Sequence, residues 1–221
     1  EVESNRRLLD EATDSDTLDR DSYLGEPHTR DERWLEICHH PRLLDAVQSV
    51  LGPNLILVYS SVFIKPPHSG ETVPWHQDNT YWPSVHGTDV ATVWLAIDDA
   101  DTENSAMMVI PESHVGYRES PTVTSDAHEM LSKKIAVTSS MEARAVSLQM
   151  AAGSVSIHDS FLLHASGSNG SGRRRAGYTI RYCSSDTAWV DMDQHPIPVY
   201  LVRGEAGTRG GRYIDLCRDR T

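Results

Sequence analysis

Trp75-His76-Gln77-Asp78-Asn79-Thr80-Tyr81-Trp82 is the stretch on which the fold turns. Read as a strand, its spacing of two puts His76 and Asp78 on one face and sends Gln77 to the other. Such a pair is half of a metal site, and three-ligand sites usually recruit a distant segment to complete themselves. His164 supplies the best completion, in Phe161-Leu162-Leu163-His164-Ala165-Ser166-Gly167-Ser168-Asn169. It closes an apolar strand, and the small residues after it permit close backbone approach. Two neutral imidazoles and one carboxylate neutralise only part of a divalent charge and leave coordination positions open, the donor set of a non-haem Fe(II) oxygenase site.

Taken alone, a His-x-Asp pair among 11 histidines is a weak signal, because a lone histidine is more often core or surface than ligand. His28, His39, His40, His68, His86, His114, His128, His158 and His195 all compete with His164. His158 is the serious rival, lying six positions before His164 where it could face the same cavity.

Working outward, the flanks read as strand after strand. Leu55 to Tyr59 and Ser60 to Ile64 are β-rich and too short for another helix. Pro66-Pro67-His68-Ser69-Gly70 is a loop feeding the opening stretch. Thr92-Val93-Trp94-Leu95-Ala96-Ile97, Ala106 to Ile110, Val155-Ser156-Ile157, Leu162-Leu163-His164 and Tyr178 to Tyr182 continue the series. Upstream, Trp34, Leu35, Ile37 and Cys38, then Leu43, Leu44, Val47 and Val50, recur at helical spacing, with Pro41 between two short helices and Gly52-Pro53 as a stop. Residues 112–145 are polar, with a helix expected around Ala127 to Lys133, and make a candidate cover over a site. A helical start followed by many short strands with Gly/Pro turns indicates an antiparallel sandwich or barrel, mainly β with flanking helices.

Composition bounds the rest. With 221 residues and 38% hydrophobic content, the chain suits one domain spanning 1–221. Within it, residues 1–33 read as a charged and mobile segment with little core, 34–184 as the core, and 185–221 as a C-terminal arm. A net charge of −12 argues against a nucleic-acid partner, since the one basic cluster is Arg173-Arg174-Arg175. The lack of an initiator methionine suggests that the natural chain begins earlier. Cys38, Cys183 and Cys217 show neither metal nor disulfide spacing, which points to reduced thiols and a cytoplasmic location. No apolar run approaches the roughly 20 residues that span a bilayer, so no membrane partner is expected.

Five blocks in register carry a family resemblance: Val62 to Gly70, Trp75 to Asp78, Thr92 to Asp99, Val109 to His114 and Leu163 to Asn169. Together they resemble the phytanoyl-CoA dioxygenase family over about residues 34 to 184. The resemblance implies a double-stranded β-helix, a cupin-like jelly roll, that uses Fe(II), 2-oxoglutarate and O2. It places His76, Asp78 and His164 as iron ligands, and Arg175 as the arginine that holds the distal carboxylate of 2-oxoglutarate, with Arg181 the main alternate on the same strand parity. Gln77, Trp94 and Ser166 match positions lining the cosubstrate, and Asn79, Tyr81 and Trp82 fall where the family tends to place groups near the substrate.

The resemblance further implies oxidation of a small molecule, with succinate and CO2 released. The carboxylate of Asp78 argues against halogenation, because related halogenases carry a small residue there. The family spans many substrates. No basic surface suited to a CoA diphosphate is evident, and the acidic balance, including Asp186, Asp191 and Asp193, leans towards a polar, amine-bearing secondary-metabolite-type molecule. The alternative is a cupin-like metal- or ligand-binding protein without redox turnover.

Overall fold

The computed structural model describes residues 1–14, 18, 22–116 and 120–217. The chain opens with helix α1 (Val2–Asp14), strand β1 (Tyr23–Gly25) and helices α2 (Pro27–Arg30), α3 (Glu32–Cys38) and α4 (Pro41–Leu51). Pro41 suits the first turn of α4, where no N–H is needed, and Gly52 at φ 89° ends that helix in a conformation that side chains avoid. Strands then dominate: β2 (Leu55–Lys65), β3 (Val73–His76), β4 (Val85–His86), β5 (Val90–Ala96), β6 (Met108–Val109), β7 (Thr122–Val123) and β8 (Lys133–Lys134). After the short helix α5 (Ser139–Glu142) come β9 (Val146–Ser147), β10 (Val155–Asp159), β11 (His164–Ser166), β12 (Arg175–Ser184), β13 (Trp189–Val190), β14 (Tyr200–Arg203) and β15 (Ile214–Asp215).

Two sheets face each other. The larger runs β10-β5-β12-β2-β14-β15, with β1 also paired to β2; the smaller runs β3-β11-β6-β9. This is the jelly-roll form of the double-stranded β-helix, with helices packed outside the larger sheet.

The alternation along β12 explains the packing. Ala176, Tyr178, Ile180 and Tyr182 join Leu57, Val62, Ile64, Val93 and Leu95 in an apolar cluster under Trp34 and Cys38 of α3 and Leu43, Leu44 and Val47 of α4. Arg175, Gly177, Thr179 and Arg181 point the other way, between the sheets, and yet every residue of β12 is buried. A strand whose polar face is as buried as its apolar face must give those polar groups partners or a ligand. The function of the fold is written on that inner face.

Several expectations need correction. Residues 1–14 supply more core than their charge suggests: Leu8 and Leu9 of α1 are buried in the same apolar cluster, because the helix lays one stripe against the outer face of the sheet. Residues 15–17 and 19–21 of that segment, and 117–119 of the 112–145 insertion, lie outside the described residues. The helix expected around Ala127 to Lys133 is absent; a turn leads there into β8, and the short helix α5 comes later. The insertion lies along β3, where Met130 N–H bonds to the Thr72 carbonyl and Ile135 N–H to the Trp75 carbonyl. That covers an edge whose peptide groups would otherwise be unpaired. The C-terminal arm also enters the larger sheet, because Tyr200, Leu201 and Arg203 of β14 pair with Leu57, Ile56 and Leu55. Among the described residues no helix is long and apolar enough to cross a membrane.

Leu9→Ala is expected to lower unfolding stability by about 2–5 kcal/mol, as for other fully buried leucines. The denaturant midpoint measures it, and a change under about 0.5 kcal/mol, the size of a typical surface substitution, would mean that α1 is not docked.

Candidate metal centre

Local backbone decides how the opening stretch presents its groups. His76 is the last residue of β3, Gln77 is extended (φ −116°, ψ 130°), and Asp78 begins a 3-10 turn through Tyr81. Contrary to expectation, the two groups are therefore not on one continuous strand. The extended Gln77 still leaves His76 and Asp78 on one side, and the turn lets Asp78 reach inward. Two bonds pin this segment to the 160–161 turn: Asn79 N–H donates to the Ser160 carbonyl, and the Gln77 side-chain amide donates to the Phe161 carbonyl at 2.7 Å.

His164, first in β11, pairs directly opposite His76 across the smaller sheet, and the ring centroids are 4.0 Å apart. In both histidines Nδ1 bonds a carbonyl two residues back, that of Pro74 for His76 and Leu162 for His164, each at 2.9 Å. A carbonyl can only accept, so Nδ1 carries the proton and the Nε2 lone pair is left for another partner. Both Nε2 atoms lie 3.7 Å from the same oxygen, Asp78 Oδ1. One ligand atom from each of His76, Asp78 and His164 falls within 4.8 Å of the others, in a buried site. Burial, with His76 close by, pushes His164 well below the usual histidine range despite the pull of Asp78, which favours the neutral, metal-binding ring.

Asp78 divides its oxygens. Oδ1 faces the two rings, while Oδ2 accepts the Thr92 hydroxyl at 2.5 Å and lies 3.5 Å from His158 Nε2. Burial would raise its carboxyl, but Arg181, then His164, with His158 and His76 close by, outweigh that and hold it well below the usual carboxylate range. His158, the rival ligand, thus sits on the far oxygen and outside the three-donor cluster.

The larger sheet supplies the opposite wall in register. Tyr59, Arg181, Thr92 and His158 form one row across β2, β12, β5 and β10; Ser61, Thr179, Trp94 and Ser156 form the next. Arg175 ends the ladder beside Lys65. Gly177 intervenes because the Trp94 indole lies over its Cα: an added Cβ would fall 2.2 Å from the ring. The indole in turn stands 5.9 Å from the Arg175 guanidinium carbon. Arg175 donates to the Ser166 hydroxyl at 3.2 Å, leaves its Nε without a partner and has no carboxylate within ion-pair distance among the described residues. Burial pushes it down to about 10. Burial, then Arg175, pushes Lys65 down to about 6; its amine bonds the Ser105 hydroxyl and the carbonyls of Ser166 and Gly167.

Of the residues singled out from sequence, His76, Asp78, His164, Trp94, Ser166, Arg175 and Arg181 line one cavity, with Phe63, Val73, Met107 and Ala165 as apolar wall. Gln77, Asn79, Tyr81 and Trp82 are not among its lining residues. Tyr81 packs edge-on to His76 and bonds the Lys133 carbonyl, and Trp82 is buried in a second apolar cluster beneath Arg181. Thr92 joins the site without having been singled out, although its period-two relation to Trp94 puts both on the same face. Lys65 stands beside Arg175 outside the cavity lining, and nothing in its local sequence announces a buried amine.

A sequence profile of the family described as "Phytanoyl-CoA dioxygenase (PhyH)" matches residues 3–177. The "Probable alpha-ketoglutarate-dependent hypophosphite dioxygenase" of Stutzerimonas stutzeri is 30% identical over 165 residues, covering 74% of this chain and 57% of the relative. The peroxisomal phytanoyl-CoA dioxygenase of Bos taurus is 27% identical over 169 residues, covering 74% and 50%. The chain thus spans about half the length of the curated relatives it matches. Among solved structures, the non-heme monooxygenase ThoJ in its apo form superposes with a TM-score of 0.77 at 27% identity, covering 97% of this chain and 77% of the other.

Gly177→Ala is expected to displace the Trp94 indole and cost about 1–3 kcal/mol, as over-packing does. A lowered denaturant midpoint with altered tryptophan fluorescence is the expected result; neither would change if the ring did not rest on that backbone.

Proposed function

We propose that this chain, which belongs to the phytanoyl-CoA dioxygenase family, is a non-haem Fe(II)- and 2-oxoglutarate-dependent oxygenase acting on a small polar molecule. The observation that carries the proposal is the convergence of the His76 and His164 Nε2 atoms on one buried carboxylate oxygen, with Nδ1 of each ring tied to a backbone carbonyl. It is the donor set that suits Fe(II) while leaving positions open for other ligands. His76, Asp78 and His164 would hold the metal. When bound, iron with 2-oxoglutarate and O2 supplies oxidative decarboxylation to succinate and CO2, coupled to removal of hydrogen from the substrate.

The chain's own groups do the positioning. The carbonyls of Pro74 and Leu162 fix both imidazole tautomers, an arrangement typical of metal-bound histidine. Thr92 keeps Asp78 Oδ2 occupied, so Oδ1 is the oxygen presented to the ion. Arg175 is our choice for the distal carboxylate of 2-oxoglutarate: a buried, carboxylate-free guanidinium with Ser166 and Trp94 beside it offers the planar fork that a carboxylate fits. Arg181 is disfavoured for that task because its NH2 lies 3.7 Å from Asp78. Gln77 acts through the backbone, by tying the Asp78 turn to Phe161.

For the organic substrate, the net charge of −12 supports a polar, amine-bearing molecule of secondary-metabolite type. Three free cysteines, two of them buried, support a cytoplasmic location. The competing reading is a cupin-like protein that holds a metal with these ligands and turns nothing over.

Succinate formation from 2-oxoglutarate with Fe(II) and ascorbate, without added substrate, separates the two, and none is expected from the competing reading. Asp78→Ala should abolish both bound iron and succinate release; undiminished turnover in that variant would sink the ligand assignment. Arg175→Ala should raise the 2-oxoglutarate concentration needed by about tenfold or more, the loss expected for a charge-assisted pair. If Arg181→Ala does so instead, the arginine is misassigned.

A further inference from the structure

Arg181 is the cation in the cavity that this proposed chemistry does not use. It is buried, 6% exposed, and lines the cavity beside Asp78, Thr92 and His158. Its NH1 bonds neutral groups only, the Ser61 hydroxyl at 2.8 Å and the hydroxyl and carbonyl of Thr179. Its Nε has no partner. Asp78 Oδ1 stands 3.7 Å from NH2, beyond a hydrogen bond, and that oxygen is the one the two Nε2 atoms face. Tyr59 and Trp82 place their rings 5.7 and 5.6 Å from the guanidinium carbon and restrict how it can move.

Charge balance gives this arrangement a meaning. Once Asp78 is committed to a divalent ion it can no longer compensate Arg181. A dianionic keto acid would neutralise Arg175 and one charge of the remaining metal excess, so the buried set stays one positive charge in surplus. Isolated buried charges are costly, and a cavity with a surplus cation favours a ligand that brings the missing anion. We propose that Arg181 seats an anionic group of the organic substrate, a carboxylate or a phosphonate, next to the metal, which makes the substrate an acid or, with an amine, a zwitterion. This deepens the functional reading above and rests on it.

The probes are acetate and methylphosphonate, with acetamide as the neutral isostere of acetate. Each is titrated by calorimetry into protein loaded with Mn(II), which stands in for iron without turnover, and saturated with 2-oxoglutarate so that Arg175 is occupied. The wild type should bind acetate or methylphosphonate and not acetamide; which of the two acids binds tighter tells carboxylate from phosphonate. R181Q should weaken that binding at least about tenfold, the loss of one charge-assisted bond pair, with R181K between the two and the 2-oxoglutarate affinity within about threefold of wild type. Equal binding of acetate and acetamide by the wild type overturns the inference, even if R181Q does not fold. So does acid binding unchanged in R181Q, or loss of 2-oxoglutarate in place of the acids. A wild-type chain that holds Mn(II) and 2-oxoglutarate but neither acid defeats this inference alone; one that holds neither Mn(II) nor 2-oxoglutarate defeats the functional reading and this inference with it.

Discussion

One carboxylate, Asp78, is the group to which the rest of the interior answers. It is the only acid among the described residues lining the cavity, and two histidines, two arginines and a third histidine line it too. A buried anion survives only if its oxygens are satisfied. Here a hydroxyl from Thr92 takes one, while the other faces the Nε2 lone pairs of His76 and His164 and the charge of Arg181, each 3.7 Å away, and is left for a cation. Each of those partners comes from a different strand. The two sheets must therefore hold their spacing and register for the carboxylate to be tolerated at all.

The larger sheet meets that demand by having two buried faces of opposite character. Its outer face is apolar and covered by α1, α3 and α4; its inner face is a ladder of hydroxyls, an indole and two guanidiniums. In an ordinary two-layer sandwich the second face would be apolar core or solvent-exposed. Burying a polar face costs stability, and the helices offset part of that cost by completing the apolar side. The same division separates tasks along β12: Arg175 at one end beside Lys65, Arg181 at the other beside Asp78, with Gly177 between them making room for Trp94.

Most of the metal-proximal constellation was legible because it depends on short spacings. His76 and Asp78 two apart, the apolar approach to His164 and the arginines on one parity of a strand are facts of local sequence that a strand or turn preserves. Errors arose where neighbours overrode local composition. The charged segment 1–14 carries only two well-buried leucines, Leu8 and Leu9, too few to announce a core helix without the sheet they dock on. Residues 127–133 have helical composition, yet the unpaired edge of β3 draws them alongside as a turn and strand. The family resemblance puts Asn79, Tyr81 and Trp82 near the substrate, whereas none of them is among the residues lining the cavity. The 3-10 turn sends Tyr81 and Trp82 into packing, and Asn79 meets Ser160.

By itself the sequence determined which chemistry this interior can hold: the donor types and a run of short strands that makes a sandwich or barrel, set by side-chain identity and period, with the jelly roll implied by the family resemblance. Only the tertiary structure decided which histidine shares an oxygen with His76, and which arginine is free of a carboxylate. Those are matters of cross-strand register, His164 opposite His76 and Arg181 in the row of Thr92 and His158. A register is fixed by the packing of whole sheets, not by the residues that a single strand displays.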